Sequence, residues 1–521
     1  MTQISYRANL SSAIFPLSIS AAGPTVIVPG PDNNYDRRVD PEGEQKNAGI
    51  PQAIYLENVI PTANGYQSVG YTAKDPIPST FYDSTNQIPT ARSDQIYQVT
   101  VVYNSATDFK CSDLTGLGGW ADVIFSGTAT YPLVGRISSA VVRGTCYVFI
   151  RGASNQIYTA QHDGTALTLT NVTASLAGIL ASDIVEICGS YNYLIAIKDD
   201  GSTAWSSTTT PLSFTISLVS GAGSASPNNS YNKLEHIETS PSGFYIFTPS
   251  GVLVATYTGN SRYPWKFVPV VNTTEIISFT SGDVNASRVI VIDGIGSVRQ
   301  IQGDVAELIA PELSSYFRQC LETDVFNYST NTFTTQTNLA SRAPKVYFLH
   351  DRYICVSCEA TSLVYTAIII YDTLLRRYGK LKIDHNELVL YDTLNIALNR
   401  NRIGIVNRIT GACNIADFET DVVTSPHTGV LVLGKFQYVR SRNLALDEIS
   451  IEGKFHTSSV AVLPSLNGKT FDAAVLPSLV ESNDTLKSYA CRTEARNQSI
   501  VIKGQFSIEC LELVFHPGAA R

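Results

Sequence analysis

The sequence predicts an all-β protein: a β-propeller of about seven blades followed by a smaller C-terminal β-sandwich. Three observations carry that expectation. A short strand, a tight polar turn and a second strand recur at intervals of roughly 45 to 65 residues, and hairpins at such a period are how four-stranded propeller blades look in sequence. Charged residues make up only 16% of the 521, while Thr, Ser, Tyr, Val and Ile are abundant, which suits pleated half-buried surfaces and loops and not a helical bundle. Beyond about residue 424 the hairpin rhythm gives way to longer runs, among them Ile508 to Phe515, whose alternation fits one buried and one solvated face.

The first element is an extended N-terminal arm, residues 1–52. Pro24, Pro29, Pro31 and Pro41 surround the mixed-charge run Asp32 to Asp40. A segment so poor in apolar side chains cannot bury a core alone, so it is expected to lie against a neighbouring subunit or an adaptor protein. The propeller is expected over residues 53–424. It opens with Ala53 to Ile60 and the hairpin signal Ala63-Asn64-Gly65.

The repeats then start near Ile96 to Tyr103. They continue as Cys146 to Ile150 with Gln156 to Ala160, Asn192 to Ile197 with Ser202 to Trp205, and Phe244 to Phe247 with Val252 to Tyr257. Arg288 to Ile292 with Ser297 to Ile301, Arg352 to Val356 with Leu363 to Thr366, and Arg402 to Val406 with Ala412 to Ile415 complete the series. Gly and Asp sit in the turns, where tight hairpins need positive φ. The widest interval holds Asp304 to Ile309 and Glu312 to Phe317, whose apolar spacing predicts a short helical insertion near 304–318, interrupted by Pro311. Strand-like runs over Val430 to Leu433, Phe436 to Val439, Leu446 to Ile451, Ser499 to Ile502 and Ile508 to Phe515 place the β-sandwich in residues 425–521.

Charge and targeting signals narrow the function classes. A net charge of −8 gives no overall basic footprint of a tight nucleic-acid binder. The longest nearly apolar stretch, Leu363 to Leu375, is too short to span a bilayer. The N-terminal residues lack the apolar centre of a signal peptide, so synthesis in the cytosol is expected. Nine cysteines, an odd number scattered mostly through strand-like runs, read as buried thiols and not as a disulfide framework.

Several motifs have bland readings that outweigh the chemical ones. Gly429 to Lys435 has P-loop spacing, but Phe436 stands where a Mg²⁺-binding Ser or Thr is needed, and the interior Val-Leu-Val-Leu reads as a strand. Lys198 to Trp205 approaches an Asp-box turn with one residue too many. Cys355 and Cys358 have metal-type spacing, yet three positions apart on a strand they face opposite ways. No catalytic, cofactor-binding or metal-binding residues are nominated. The densest basic segment is Arg376 to Lys382, which either contacts a polyanion or an acidic loop or is a solvated turn.

One resemblance organises these readings. Ile54 to Gly70, a propeller after it, and a terminal β unit ending Leu513 to Gly518 resemble the nozzle proteins of short-tailed bacteriophages, also called packaged-DNA stabilisation proteins. The resemblance implies a non-enzymatic virion tail component: a homo-oligomeric ring, expected to be a hexamer, beneath the portal and adaptor, with genomic double-stranded DNA passing through its lumen. Arg376, Arg377, Lys380 and Lys382 are then the candidates to touch DNA, weakly and in a salt-dependent way. Two other functions are weighed against it. One is a propeller glycosidase or depolymerase acting on host surface polysaccharide, and the other is a propeller that docks protein partners.

Overall fold

The computed structural model of the chain describes residues 4–9, 26–28, 53–74, 91–96, 99–104, 109–112, 120–126, 133–152, 154–227, 233–273, 276–279, 289–294, 296–311, 322–327, 332–337, 344–349, 352–360, 364–390, 402–407, 409–410, 412–418, 428–438, 444–465, 474–483, 485–495 and 497–517. Among them, seven units of four antiparallel strands follow one another, the second with Ile124–Ser126 added as a fifth, parallel strand. They span residues 91–122, 133–171, 184–225, 236–269, 276–308, 345–385 and 387–417, hereafter blades 1 to 7. Blade 7 takes its fourth strand from the start of the chain: Gly70–Lys74 pairs antiparallel with Cys413–Asp417. First strands neighbour one another from blade 1 to blade 4, between blades 5 and 6 and between blades 7 and 1, and shared apolar clusters join blade 4 to 5 and blade 6 to 7, so the circle is closed. The protein is a β-propeller.

Every recurring hairpin of the sequence forms the second and third strands of a blade, as in Thr145–Gly152 with Gln156–His162 and Gly243–Thr248 with Gly251–Tyr257. These strands are apolar on both faces because each blade is covered on both sides. Ile195 and Ile197 pack with Phe244, Leu253 and Trp265 of blade 4, while Leu194 and Ala196 on the other face pack with Phe149 and Ile157 of blade 2. Tyr245 and Val254 continue the series against Val289 and Val291 of blade 5. Each fully buried Leu, Ile or Phe contributes roughly 1.5–3 kcal/mol, so the inter-blade layers dominate the stability of the ring.

The expected helical insertion is corrected. Val305–Leu308 is a strand, the outermost of blade 5, in register with Val298–Gln302. Apolar residues in so short a run match helical and extended periods alike, and pairing decided between them. Glu312 to Phe317 lie outside the described residues.

A further correction concerns where the propeller begins. Residues 53–68 do not begin the propeller, which starts only at Gly70. Ala53–Glu57 instead pairs with Gly429–Tyr438. Val59–Pro61 and Tyr66–Ser68 form a hairpin wedged between blade 6 and the terminal strand Asn497–Pro517. An alternating hairpin carries no label saying which sheet it will join. The described parts of the N-terminal arm also have a partner in this chain: Ile4–Asn9 pairs antiparallel with Cys510–Phe515, and Val26–Val28 pairs parallel with Phe436–Tyr438.

The C-terminal β unit is built on a long two-stranded ladder, Leu444–Ser465 against Asn497–Pro517, with bulges near Glu448, Gly453 and Thr457. At Gly453 the strands come so close that a Cβ would lie 2.1 Å from the Ser507 carbonyl oxygen. Leu486–Ala495 and Ser478–Ser482 extend the sheet on one side. This unit shares both hydrogen bonds and core with the propeller: Leu446, Ile449, Ile502, Leu511 and Phe515 belong to one apolar cluster with Ile290, Val346, Phe348 and Val356 of blades 5 and 6.

Candidate functional site

The structure brings together two features that the sequence singled out separately. The basic segment forms the turn into and through the last strand of blade 6, Arg377–His385, and the stretch Ile54 to Tyr71 lies directly against it. Their meeting point is a joint between propeller and C-terminal unit.

Arg377 is its central cation. Its side chain is buried, its two Nη groups donate to the carbonyls of Thr62 and Gly65 at 3.0 Å each, and its guanidinium carbon sits 4.4 Å from the centroid of the Tyr66 ring. The planar fork matches two carbonyls of one turn while its face stacks on an aromatic, which a lysine could not do. Gly65, the glycine of the Asn64-Gly65 turn, is required by closeness: a Cβ there would lie 1.8 Å from the carbonyl oxygen of Ile508. Two residues on, Gln67 donates to the Phe418 carbonyl of blade 7 at 3.2 Å, and the Ser68 hydroxyl accepts from the Phe506 amide at 3.0 Å.

Asn58 ties three parts of the chain at one point. Its backbone is left-handed, φ 54°, a conformation Asn tolerates better than most residues. Its Oδ1 accepts from the Lys382 amide at 3.0 Å and from the Tyr71 hydroxyl at 3.1 Å, while its Nδ2 donates to the Thr428 carbonyl at 3.4 Å. Blade 6, the strand that closes blade 7, and the first residue before the C-terminal unit are thereby linked through one side chain.

The four DNA-channel candidates therefore divide. Arg377 is internal. Lys380 is paired with Glu359 at 2.5 Å; burial alone would lower its pKa, but the carboxylate outweighs it and the ammonium is held above its ordinary range. Lys382 lies 3.7 Å from Glu57, whose carboxylate also accepts from the Tyr55 hydroxyl at 2.5 Å. Arg376 stands exposed, on a left-handed turn residue with φ 53°, and Lys382 is exposed as well. The segment is not a solvated basic turn: three of its four cations have protein partners.

A second polar site escaped the sequence reading. On the innermost strands of blades 3 and 4, His236 lies between two buried glutamates: Nδ1 is 2.6 Å from Glu186 and Nε2 is 2.7 Å from Glu238. Glu186 also accepts from the Ile237 amide at 2.9 Å, and the imidazole stacks on Phe247 with centroids 5.2 Å apart. Both ring nitrogens thus lie within hydrogen-bond distance of a buried carboxyl group, and one imidazole bridges two blades. The available signal was His236-x-Glu238, two residues on one face of a strand, but its partner lies fifty residues upstream.

The remaining motifs have structural roles. Trp205 is buried and donates through Nε1 to the Gly221 carbonyl at 2.9 Å, and Asp200 accepts from the Ser202 amide at 2.8 Å to close its hairpin turn. Cys355 and Cys358 are buried in two different core clusters, on opposite faces of their strand. Gly429–Tyr438 is a strand. Among the described residues, no group of three or more His, Cys, Asp or Glu is arranged to hold a metal ion, and no helix is long and apolar enough to cross a membrane.

No protein-family model matches the sequence, and no curated protein matches it. Solved structures similar to this one include BamB from Moraxella catarrhalis, with 11% identity over 71% of this chain and 98% of that one and a TM-score of 0.36. The Pan2 WD40 domain of Neurospora crassa is similar over 68% and 98% at 10% identity, TM-score 0.36. An exo-β-1,3-galactanase from Phanerochaete chrysosporium with galactose is similar over 85% and 100% at 12% identity, TM-score 0.25. At these scores the likenesses carry no argument about chemistry or partners.

Proposed function

We propose that this chain is a non-enzymatic structural subunit, a ring-forming nozzle of a short-tailed bacteriophage that seals and conducts genomic DNA. One observation supports this reading above the others. The stretch that carries the resemblance, Ile54 to Tyr71, is the part that joins the molecule: it pairs with the C-terminal unit, clamps onto blade 6 through Arg377 and leads into the strand that closes blade 7. A conduit under pressure must not let its two parts separate, and a joint of backbone ladders and buried hydrogen bonds resists separation where a flexible linker would not. The commitment of Arg377, Lys380 and Lys382 to protein partners fits a lumen that lets DNA slide, since each cation on a phosphate adds affinity through counterion release.

The reading is tested by negative-stain imaging of the purified protein and of particles carrying it. Rings of six subunits beneath a capsid vertex are the expected result. A monomer that hydrolyses surface polysaccharide would overturn it in favour of the glycosidase reading.

A further inference from the structure

We propose that the subunits of the ring are fastened by strand exchange: the arm strand Ile4–Asn9 of one copy occupies the Cys510–Phe515 edge of the next. The inference rests on the ring reading above and adds to it the surface and the partner, a second copy of this chain.

The terminal strand Asn497–Pro517 has one side filled throughout by Leu444–Ser465. Its other side is covered in sections: residues 497–504 by Gly429–Tyr438, residues 507–508 by Tyr66–Ser68, and residues 510–515 by the arm. The first two covers belong to the body of the molecule. The third belongs to the N-terminal arm. Among the described residues no other strand lies on the 510–515 edge, and an uncovered edge presents its amides and carbonyls to any extended chain. The inner face of that edge is well made without the arm, because Leu511, Leu513 and Phe515 are buried in the shared core.

Chain length permits the exchange. Residues 29–52, 24 in all, separate the arm's second strand from Ala53–Glu57, and a further 16, residues 10–25, separate its two strands. Val26–Val28 stays paired within its own copy, so the exchange uses residues 10–25, which at about 3.3 Å per extended residue span at most roughly 50 Å. The six register pairs from Ile4↔Phe515 to Asn9↔Cys510 are the same bonds whether made within one copy or between two. Exchange therefore costs little bond energy, and in a closed ring each copy both donates and accepts a strand.

The register supplies a one-residue test. Asn9 faces the native Cys510, which is in no disulfide, and paired residues on antiparallel strands have Cα separations within the range a disulfide spans. Asn9→Cys protein is oxidised under conditions where ring size is measured on the same sample, then run on a denaturing non-reducing gel. Exchange predicts covalent multimers up to the size of the ring, and their loss when Cys510→Ser is added. In a second test, chains carrying only Arg7→Cys are co-expressed with chains carrying only Glu512→Cys in a Cys510→Ser background. Exchange predicts a cross-link between the two kinds of chain. Intact rings that yield only internally cross-linked monomers, or no cross-link in either format, would overturn the exchange and leave the ring reading standing. A protein that is monomeric throughout would remove both.

Discussion

Blades 3 and 4 and the joint at Ile54 to Tyr71 are equally well buried, yet they are built in opposite ways. In blades 3 and 4 each strand pairs with its neighbour in sequence, through hairpins as short as Ser190 to Tyr193 and Ser240 to Gly243. In the joint the bonds run between residues hundreds of positions apart, as from Arg377 to Gly65 or from Phe506 to Ser68. Local pairing costs little loop-closure entropy and forms early, whereas the joint can form only when the ring is nearly complete. The comparison teaches that the propeller is held by repetition and its union with the C-terminal unit by a few irreplaceable residues.

The largest expected effect comes from the one non-repetitive feature of the blades. His236→Leu would leave Glu186 and Glu238 buried without the imidazole both bond to, and removing one side of a buried acid–base pair costs roughly 3–5 kcal/mol. Two of the three tryptophans, Trp205 and Trp265, lie in blades 3 and 4, so their fluorescence in a denaturant titration reports this region. A midpoint equal to that of the wild type would show that the inter-blade clasp is not ionic.

Next is the close approach at the joint. Gly65→Val puts side-chain atoms where the Ile508 carbonyl already lies, so either the Thr62–Gly65 turn or the terminal strand must move. A loss of about 3 kcal/mol is expected, of the size seen for overpacked sites. Limited proteolysis distinguishes the two regions: cleavage should rise between Lys74 and Ala91 or near Thr428 while the tryptophan signal of blades 3 and 4 is unchanged. Loss of both signals together would mean that joint and blades unfold as one unit, and the contrast between them would fall.

How much was legible follows from the same contrast. The hairpins, their number and the fold class could be read because neighbouring strands pair, so period and turn chemistry lie in one window of sequence. The strand at Val305–Leu308 was misread because four residues do not separate a period of 2 from one of 3.6. Arg376 to Lys382 was noticed for its charge, but a run of cations looks the same whether it faces solvent or two carbonyls three hundred residues away. Glu186, His236 and Glu238 were invisible for that reason too. Stretches such as Ile54 to Tyr71 reveal their role only by what they touch.

Arg377 and Arg376 are adjacent and chemically identical, so exchanging each in turn sharpens the comparison within one turn. Arg377→Met should cost about 2–3 kcal/mol, because the Thr62 and Gly65 carbonyls lose charge-assisted donors and Tyr66 loses its stacked cation. Arg376→Ala, at an exposed position, should change stability by less than about 0.5 kcal/mol. If the ring reading holds, Arg376 and the exposed Lys382 are the positions of the four where neutralisation would alter genome retention without touching the fold. Equal thermal midpoints for the two variants would refute the internal role of Arg377.

The last effect is a pH dependence, and it again separates the regions. His385, buried on the last strand of blade 6, donates through Nδ1 to the Ile383 carbonyl at 2.9 Å and accepts at Nε2 from the Ser357 hydroxyl at 2.7 Å. Burial pushes its pKa down to about 4, with the Lys345 charge acting in the same direction and the bond to Ile383 opposing. In the unfolded chain the value is near 6.5, so between the two the unfolded state binds the extra proton and the folded state does not. Stability contributed by the neutral ring is therefore complete above the unfolded value and is lost as pH falls from about 6.5 towards 4. Between pH 7 and pH 5 the loss should be on the order of 2 kcal/mol, at 1.36 kcal/mol per unit of separation. His385→Gln keeps a side chain able to bond both partners but cannot titrate, so the wild type should lose more stability than this variant across that interval. The readout is the pH dependence of the denaturation midpoint measured by the reactivity of Cys355 and Cys358, which are buried in the same blade. Parallel curves for the two proteins would show that His385 is not what makes blade 6, and with it the joint, sensitive to acid.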